Sequence, residues 1–298
     1  MAKLICPVIT PTSEHEYRRL IQHVVADGRG CDVVFALGTT GEFYALDNGV
    51  GKNYSSIAID EVRELNRKNR RRVEVAVGVT SHSWRESINF AKFAERCGAD
   101  SLVVMPVYIE ETRRFGDGLK RFLHETNKPV ILYNHPGMTC GKNIRSATWK
   151  EFAQHPGIVA LKDSSGNLKR LGDYQKAAGN NAEVYVGDEI FGLRCLANGM
   201  HLDGIVAGSA NIFPIAWKIA VDCNFGEDIH AARFAEKLEE FQKIYAINPI
   251  GAFHYILQKQ GVISSNETID KRNKVSDKLA DDLDNLMQQQ DFKSIVTF

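Results

Sequence analysis

Short, almost wholly apolar runs recur along the chain, and most are followed by a longer stretch with apolar residues every three to four positions. The runs at 3–8, 32–37, 73–77, 101–105, 130–133, 158–161, 183–186 and 204–206 predict eight strands. Ser101-Leu102-Val103-Val104-Met105 is apolar at every position after the first. That pattern suits a parallel strand covered on both faces, not an antiparallel strand with one wet face. Between the strands, helices are predicted over 14–27 (stopping at Gly28), within 53–67, and over 83–96, 146–154 and 167–178. Ser83 is placed to cap the third of these and Gly98 to end it. Eight strand–helix units favour an α/β fold of the closed (β/α)₈ (TIM) barrel type. An open doubly wound sheet stays as the alternative, because periodicity does not prove closure. No G-x-G-x-x-G follows the first strand, which weakens a dinucleotide-binding reading. After Asn224 the strand signals stop, and 227–247, 251–260 and 276–290 read as helical. The expected division is a catalytic barrel over 1–224 and a C-terminal helical region over 225–298 packed on it.

Composition narrows the partners. Thirty-seven basic residues balance thirty-seven acidic ones, so no global field recruits nucleic acid or an anionic membrane. The run Arg67-Lys68-Asn69-Arg70-Arg71-Arg72 follows a helix and reads as a solvated cap on its negative end. The six cysteines form no C-x-x-C pair and are widely scattered, which argues against zinc and a disulfide framework. No signal peptide is evident, and no apolar run approaches the roughly 18–20 residues that cross a bilayer. A cytoplasmic location is expected.

In a barrel of this type the loops after the strands converge on one mouth. Four strand ends carry unusual residues: Gly38-Thr39-Thr40-Gly41-Glu42, Pro106-Val107-Tyr108, Tyr133-Asn134-His135-Pro136-Gly137-Met138, and Lys162-Asp163-Ser164-Ser165-Gly166-Asn167. An amine at the position of Lys162 sits at the edge of an apolar interior, where desolvation favours the neutral, nucleophilic form. Such an amine condenses with a ketone to an imine, an electron sink for the adjacent carbon. The competing reading is a strand-end lysine that reaches solvent or pairs with Asp163. Thr39 and Thr40, flanked by glycines, offer backbone N–H groups and hydroxyls to a carboxylate, or form an ordinary tight turn. Tyr133 offers a phenol for proton transfer, or is a rim aromatic with a satisfied hydroxyl; Tyr108 suits an interface or surface position. His135 is a lone loop histidine. Ser164-Ser165 either caps the next helix, the simpler reading, or meets substrate. The nine histidines contain no H-x-H or H-E-x-x-H pattern, so no metal is expected.

Taken in order, these segments resemble the dihydrodipicolinate synthase/N-acetylneuraminate lyase family of class I aldolases. Gly38-Thr39-Thr40-Gly41-Glu42 is similar to its G-T-T-G-E loop, Tyr133-Asn134-His135-Pro136 to its Y-N-x-P segment, and Lys162-Asp163-Ser164-Ser165-Gly166 to its K-D-S-S-G variant. Gly187-Asp188, the stretch from Gly204 to Asn211, and Asn248-Pro249-Ile250 resemble its later segments. The resemblance implies that Lys162 forms an imine with pyruvate and that Thr39 and Thr40 hold the carboxylate. It implies a proton relay of Thr39, Tyr133 and Tyr108, the last reaching in from a neighbouring subunit of a homotetramer built as a dimer of dimers. Val206 falls where the family brings a backbone carbonyl near the lysine. No external cofactor is implied, since the protein's own imine accepts the electrons.

The sequence departs from the synthases at one informative place. They carry an arginine two residues after the proline of Y-N-x-P, binding the carboxylate of aspartate semialdehyde; here that residue is Met138. Losing such a partner costs about 2–5 kcal/mol where the group is desolvated. Val107 stands where the synthases commonly place another tyrosine, and Thr139-Cys140-Gly141 carries an extra residue. The expected activity is therefore reversible aldol cleavage of a 2-oxo-4-hydroxy acid of the 2-keto-3-deoxy type to pyruvate and an aldehyde. Met138 and Ser164 are expected to face the substrate. The alternatives are the dihydrodipicolinate synthase reaction itself, a Schiff-base dehydratase on the same scaffold, and a non-catalytic pyruvate-binding relative.

Overall fold

A computed structural model describes residues 1–69, 71–106, 112–223 and 229–296. The first half runs β1 (Lys3–Pro7), α1 (Glu14–Val25), β2 (Val33–Ala36), α2 (Asn48–Lys68), β3 (Glu74–Gly78), α3 (Trp84–Cys97), β4 (Ser101–Val104) and α4 (Thr112–Glu125). It continues with β5 (Val130–Asn134), α5 (Ser146–Phe152), β6 (Ile158–Asp163), α6 (Leu168–Ala178), β7 (Glu183–Val186), α7 (Glu189–Ala197), β8 (Gly204–Val206) and α8 (Pro214–Asp222). Four further helices follow: α9 (Ile229–Tyr245), α10 (Pro249–Lys259), α11 (Asp277–Gln288) and α12 (Gln290–Val296).

All strand pairs are parallel, and β1 pairs with β8 through Lys3↔Gly204, Leu4↔Ile205 and Ile5↔Val206. That last pairing closes the barrel and removes the open-sheet alternative. Ile5, Phe35, Ala76, Val103, Ile131 and Val206 are among the side chains that fill its interior. The outward residues, such as Leu4 and Leu102, join Leu20, Ile21, Trp149 and Trp217 in a second core beneath the helices. Each such large side chain contributes roughly 1.5–3 kcal/mol by leaving water. Both faces of every strand are thereby covered, which is why the strands carry little polar alternation.

Helix ends follow local chemistry more than hydrophobic period. Ser83 accepts a bond from the Glu86 amide (3.2 Å) and Gly98 ends α3 at φ +102°, as its sequence predicts. α2 begins earlier than its apolar period suggests. Asp47 accepts from the amides of Gly49 and Val50, both at 2.8 Å, and so starts a glycine-containing turn that has no amphipathic signal. Asn167, not Ser164 or Ser165, caps α6 through the Arg170 amide (2.9 Å). The basic run after α2 also does more than sit in solvent. Arg71 pairs with Asp32 (2.5 Å) and donates to the carbonyls of Gly30 and Cys31, while Arg72 pairs with Asp100 (2.5 Å).

The C-terminal helices lie on the barrel through an aromatic cluster in which Phe213, just before α8, meets Phe241 of α9 (6.2 Å between centroids) and Phe292 of α12 (5.2 Å). No helix among the described residues is long and apolar enough to cross a membrane.

Candidate active site

Register aligns Tyr133 of β5 with Lys162 of β6, and Lys162 with Tyr185 of β7. Residues paired across parallel strands point the same way, so all three enter the barrel; Tyr133 and Lys162 face the mouth, while Tyr185 reaches down to Glu183. Lys162 is 5% exposed, and its Nζ lies 3.9 Å from the centroid of the Tyr133 ring and 5.2 Å from that of Phe35. A charged amine in this position is held by ring faces rather than by a carboxylate.

The Lys162–Asp163 pairing that the sequence left open does not form, because successive strand residues point to opposite faces. Asp163 turns outward and accepts from the Asn134 amide group (2.7 Å), the Ser165 hydroxyl (2.7 Å) and the Ser165 N–H (3.1 Å). Asn134 also donates to Asn143 (2.9 Å) and accepts from the Ile144 N–H (2.8 Å). Behind the two inward residues, a buried and saturated polar pair therefore locks the ends of β5 and β6 together. On the other side, Gly187 gives Lys162 room: a Cβ there would lie 2.8 Å from Lys162 Cε and 2.2 Å from Ser164 Oγ.

Thr39 Oγ1 stands 3.4 Å from the Tyr133 hydroxyl, so the turn after β2 reaches the lysine layer. The turn is held from within by Glu42 N–H donating to Thr39 O (3.0 Å), and from the loop after β1 by Thr10 Oγ1 donating to Gly41 O (2.8 Å). Leu37 (φ +59°) and Glu42 (φ +56°) adopt the left-handed region at its two ends. Non-glycine residues seldom accept that conformation unless their surroundings impose it.

Thr39, Thr40, Tyr133, Lys162, Ser164 and Val206 line one cavity of about 340 Å³ at the mouth. Met138 flanks this space without lining it: it is partly buried against the apolar interior of the barrel. Val107 and Tyr108 lie outside the described residues. His135, which the sequence left as an isolated histidine, also faces the cavity. Burial first, and the charge of Lys162 second, push its imidazole down to about 4, so it is neutral near pH 7.

Apart from Pro249 and Ile250, the opposite wall comes from residues that the sequence did not single out. Gln242 and Tyr245 of α9, with Pro249, Ile250 and Phe253 of α10, close over the mouth. Glu189, at the start of α7, is buried there and accepts from Tyr245 OH (2.6 Å) and the Ser209 N–H (2.9 Å). Its burial pushes the carboxyl up from the usual range. In the sequence Glu189, Gln242 and Tyr245 are polar residues on helices, indistinguishable from a solvated face; only Gly187-Asp188, the stretch from Gly204 to Asn211 and Asn248-Pro249-Ile250 carried a signal. Among the described residues no group of three or more His, Cys, Asp or Glu is arranged to hold a metal ion.

An amine, a phenol and a threonine hydroxyl meeting beside a small mouth can make and break an imine with little further help. The description of one family model, the dihydrodipicolinate synthetase family, matches residues 5–290. The chain belongs to that family. Its members are class I, Schiff-base pyruvate aldolases, so the protein is a carbon–carbon lyase of that group. It is 32% identical over 241 residues to the 4-hydroxy-tetrahydrodipicolinate synthase of Trichlorobacter lovleyi, covering 77% of each chain. In fold it matches dihydrodipicolinate synthase from Aquifex aeolicus with a TM-score of 0.85 at 23% identity, over 97% of both chains. YagE, a prophage protein of the family from E. coli K12 solved in complex with pyruvate, matches with a TM-score of 0.82 at 24% identity, over 97% of this chain and 98% of that one.

Proposed function

We propose that Lys162 forms a Schiff base with C2 of pyruvate and that the protein reversibly cleaves a 2-oxo-4-hydroxy acid to pyruvate and an aldehyde. The observation that carries this is the convergence of Lys162, Tyr133 and Thr39 in one layer of the barrel mouth. In the condensation direction the Lys162 amine attacks C2, and the carbinolamine loses water to give a protonated imine. Loss of a C3 proton then gives an enamine, whose carbon attacks the aldehyde; cleavage runs these steps backwards. Tyr133 and Thr39 move the protons, Thr39 and Thr40 hold the carboxylate, and Val206 and Ser164 bound the reacting carbons. The imine itself is the electron sink, so the reaction needs no external cofactor. Pyruvate bound to YagE supports the choice of keto acid.

The aldehyde is a neutral, hydroxylated one of the kind released by a 2-keto-3-deoxy acid. Among the described residues lining the mouth, Lys162 is the sole lysine or arginine, and His135 is neutral. A second carboxylate would enter without a cationic partner, and Met138 offers none at the flank. The relatives' name favours a second reading, condensation with aspartate semialdehyde. Borohydride reduction in the presence of pyruvate, followed by peptide mapping, tests the first step and places the adduct on Lys162. A panel of 2-oxo acids assayed for pyruvate release then separates cleavage from dehydration and from binding alone. Efficient turnover of pyruvate with aspartate semialdehyde would restore the synthase reading.

We propose further that the barrel over 1–224 carries the chemistry in the cytoplasm as part of a homotetramer, with Tyr108 serving a neighbouring subunit's site. Sedimentation of the protein, with and without Tyr108→Phe in mixed-subunit complementation, addresses that arrangement.

A further inference from the structure

The turn that presents Thr39 and Thr40 ends in a carboxylate with no access to solvent. Glu42 is fully buried, and its side chain points away from the mouth into a segment more than two hundred residues later. There it accepts from the N–H of Ile269 (3.1 Å), the N–H of Asp270 (2.9 Å) and the Asn273 side-chain amide (2.7 Å). The backbone N–H of the same residue closes the turn on Thr39 O. Side chain and main chain of Glu42 thus tie one conformation of the turn to one position of segment 268–273.

Asn273 carries the connection onward. Its amide also donates to Tyr44 OH (3.1 Å), and its backbone oxygen accepts from the Asn248 side chain (2.8 Å). Asn248 caps α10 through the Gly251 N–H (3.1 Å), and the residues that follow it, Pro249 and Ile250, line the mouth. The contact is close enough to require glycine at 251, where a Cβ would lie 2.1 Å from Asn273 O. Asn273 therefore joins the two walls of the cavity, the carboxylate turn on one side and the start of α10 on the other.

We propose that Glu42 and Asn273 are positioning residues that set the Thr39–Thr40 turn for a carboxylate, so that segment 268–273 determines the preference for 2-oxo acids over simple ketones. The inference rests on the imine reading above. A carboxylate at Thr39–Thr40 is held by groups whose direction depends on the turn, whereas imine formation at Lys162 needs only a carbonyl. Loosening the clamp lowers selectivity for the acid, whereas any effect on the proton relay through Thr39 falls on acid and ketone alike. A buried carboxylate that has lost one of three donors, or a turn released from its anchor, changes binding by about tenfold.

The test compares borohydride-trapped adduct at Lys162 as a function of pyruvate and of hydroxyacetone concentration, in the full-length protein and in Glu42→Gln and Asn273→Ala. The ratio of half-saturating concentrations, hydroxyacetone over pyruvate, is expected to fall about tenfold in both variants. At saturating ligand, any fall in deuterium exchange at the carbon beside the carbonyl is the same for pyruvate and hydroxyacetone, because Thr39 relays protons for both. Lys271→Ala, an exposed position in the same segment, leaves the ratio unchanged. Equal loss of both adducts, which general damage to the fold produces, overturns the proposal, as does an unchanged ratio in folded Asn273→Ala. That variant retains the Glu42 carboxylate and covers the case in which Glu42→Gln does not fold. If the parent protein gives no pyruvate adduct at all, the imine reading fails and takes this inference with it; a normal parent adduct with an unmoved ratio sinks this inference alone.

Discussion

The two ends of the barrel differ in a way that volume alone misrepresents. The larger cavity, about 720 Å³, opens among the strand starts and reaches up to Lys162 from below; the mouth holds about 340 Å³. At the larger opening most charged groups are already paired. Lys3 meets Glu183 at 2.9 Å, Glu183 accepts from Tyr185, and Arg72 meets Asp100. At the mouth, Lys162, Tyr133 and Thr39 converge around space instead. Paired charges at the strand starts serve register and solvation, while convergent groups facing a cavity are available for a ligand. The proposed chemistry belongs to the smaller end.

The sharpest way to break this comparison is to exchange the lysines. Lys162→Ala is expected to abolish the borohydride adduct and lower turnover by at least about a thousandfold, since no other described residue lining the mouth carries an amine. Retained adduct elsewhere in the chain, found by peptide mapping, would move the site. Tyr133→Phe keeps the ring beneath Lys162 and removes only the hydroxyl. Its expected effect is a fall in kcat of about a hundredfold with pyruvate still trapped, read by steady-state and single-turnover rates.

A smaller effect concerns the packing that closes the mouth. His254 of α10 is fully buried, and burial pushes its imidazole down to about 4. Between the ordinary histidine value of about 6.5 and about 4, the unfolded chain takes up a proton at this position that the folded chain does not. The stability it contributes is present above about 6.5 and is lost as pH falls through about 4, amounting to at most about 3 kcal/mol. Glu42 faces it at 3.9 Å with its carboxyl pushed up by burial, an opposing trend in the same window, so the variant rather than the raw curve isolates the imidazole. Urea titrations should show a shallower acid-side loss for His254→Asn than for the parent; parallel curves would refute the assignment.

The smallest effect is expected at the other end. Lys3→Met removes the partner of Glu183 from a half-exposed pair, where such pairs are worth about 0–1 kcal/mol. Turnover should stay within about twofold, and a large loss of kcat would mean that the lower cavity takes part in the chemistry.

Much of this was legible from residue order. The apolar strands, the Ser83 and Gly98 helix limits, and the three motifs around Thr39, Tyr133 and Lys162 could each be read locally. Helix starts at Asn48 and Pro249 were less clear, because capping by Asp47 and Asn248 begins a helix before the amphipathic period does. The reading of Ser164-Ser165 as a cap was wrong for a related reason: three eligible residues stand close together, and the position of the following helix selects Asn167. The placement of Met138 at the flank rather than in the cavity depended on the turn after His135, which no period predicts.

Continuous apolar strands and the order of the motifs pointed to a parallel barrel, its mouth and Lys162 as the candidate amine, because strand period decides which side chains point inward and closure decides where they meet. Only the folded chain showed that Asp163 turns away to hold Asn134, that Gly187 leaves room for Lys162, and that α9, α10 and Asn273 complete the site. Those contacts join residues from distant parts of the chain, and a polar side chain buried at such a junction has the same local pattern as one facing water.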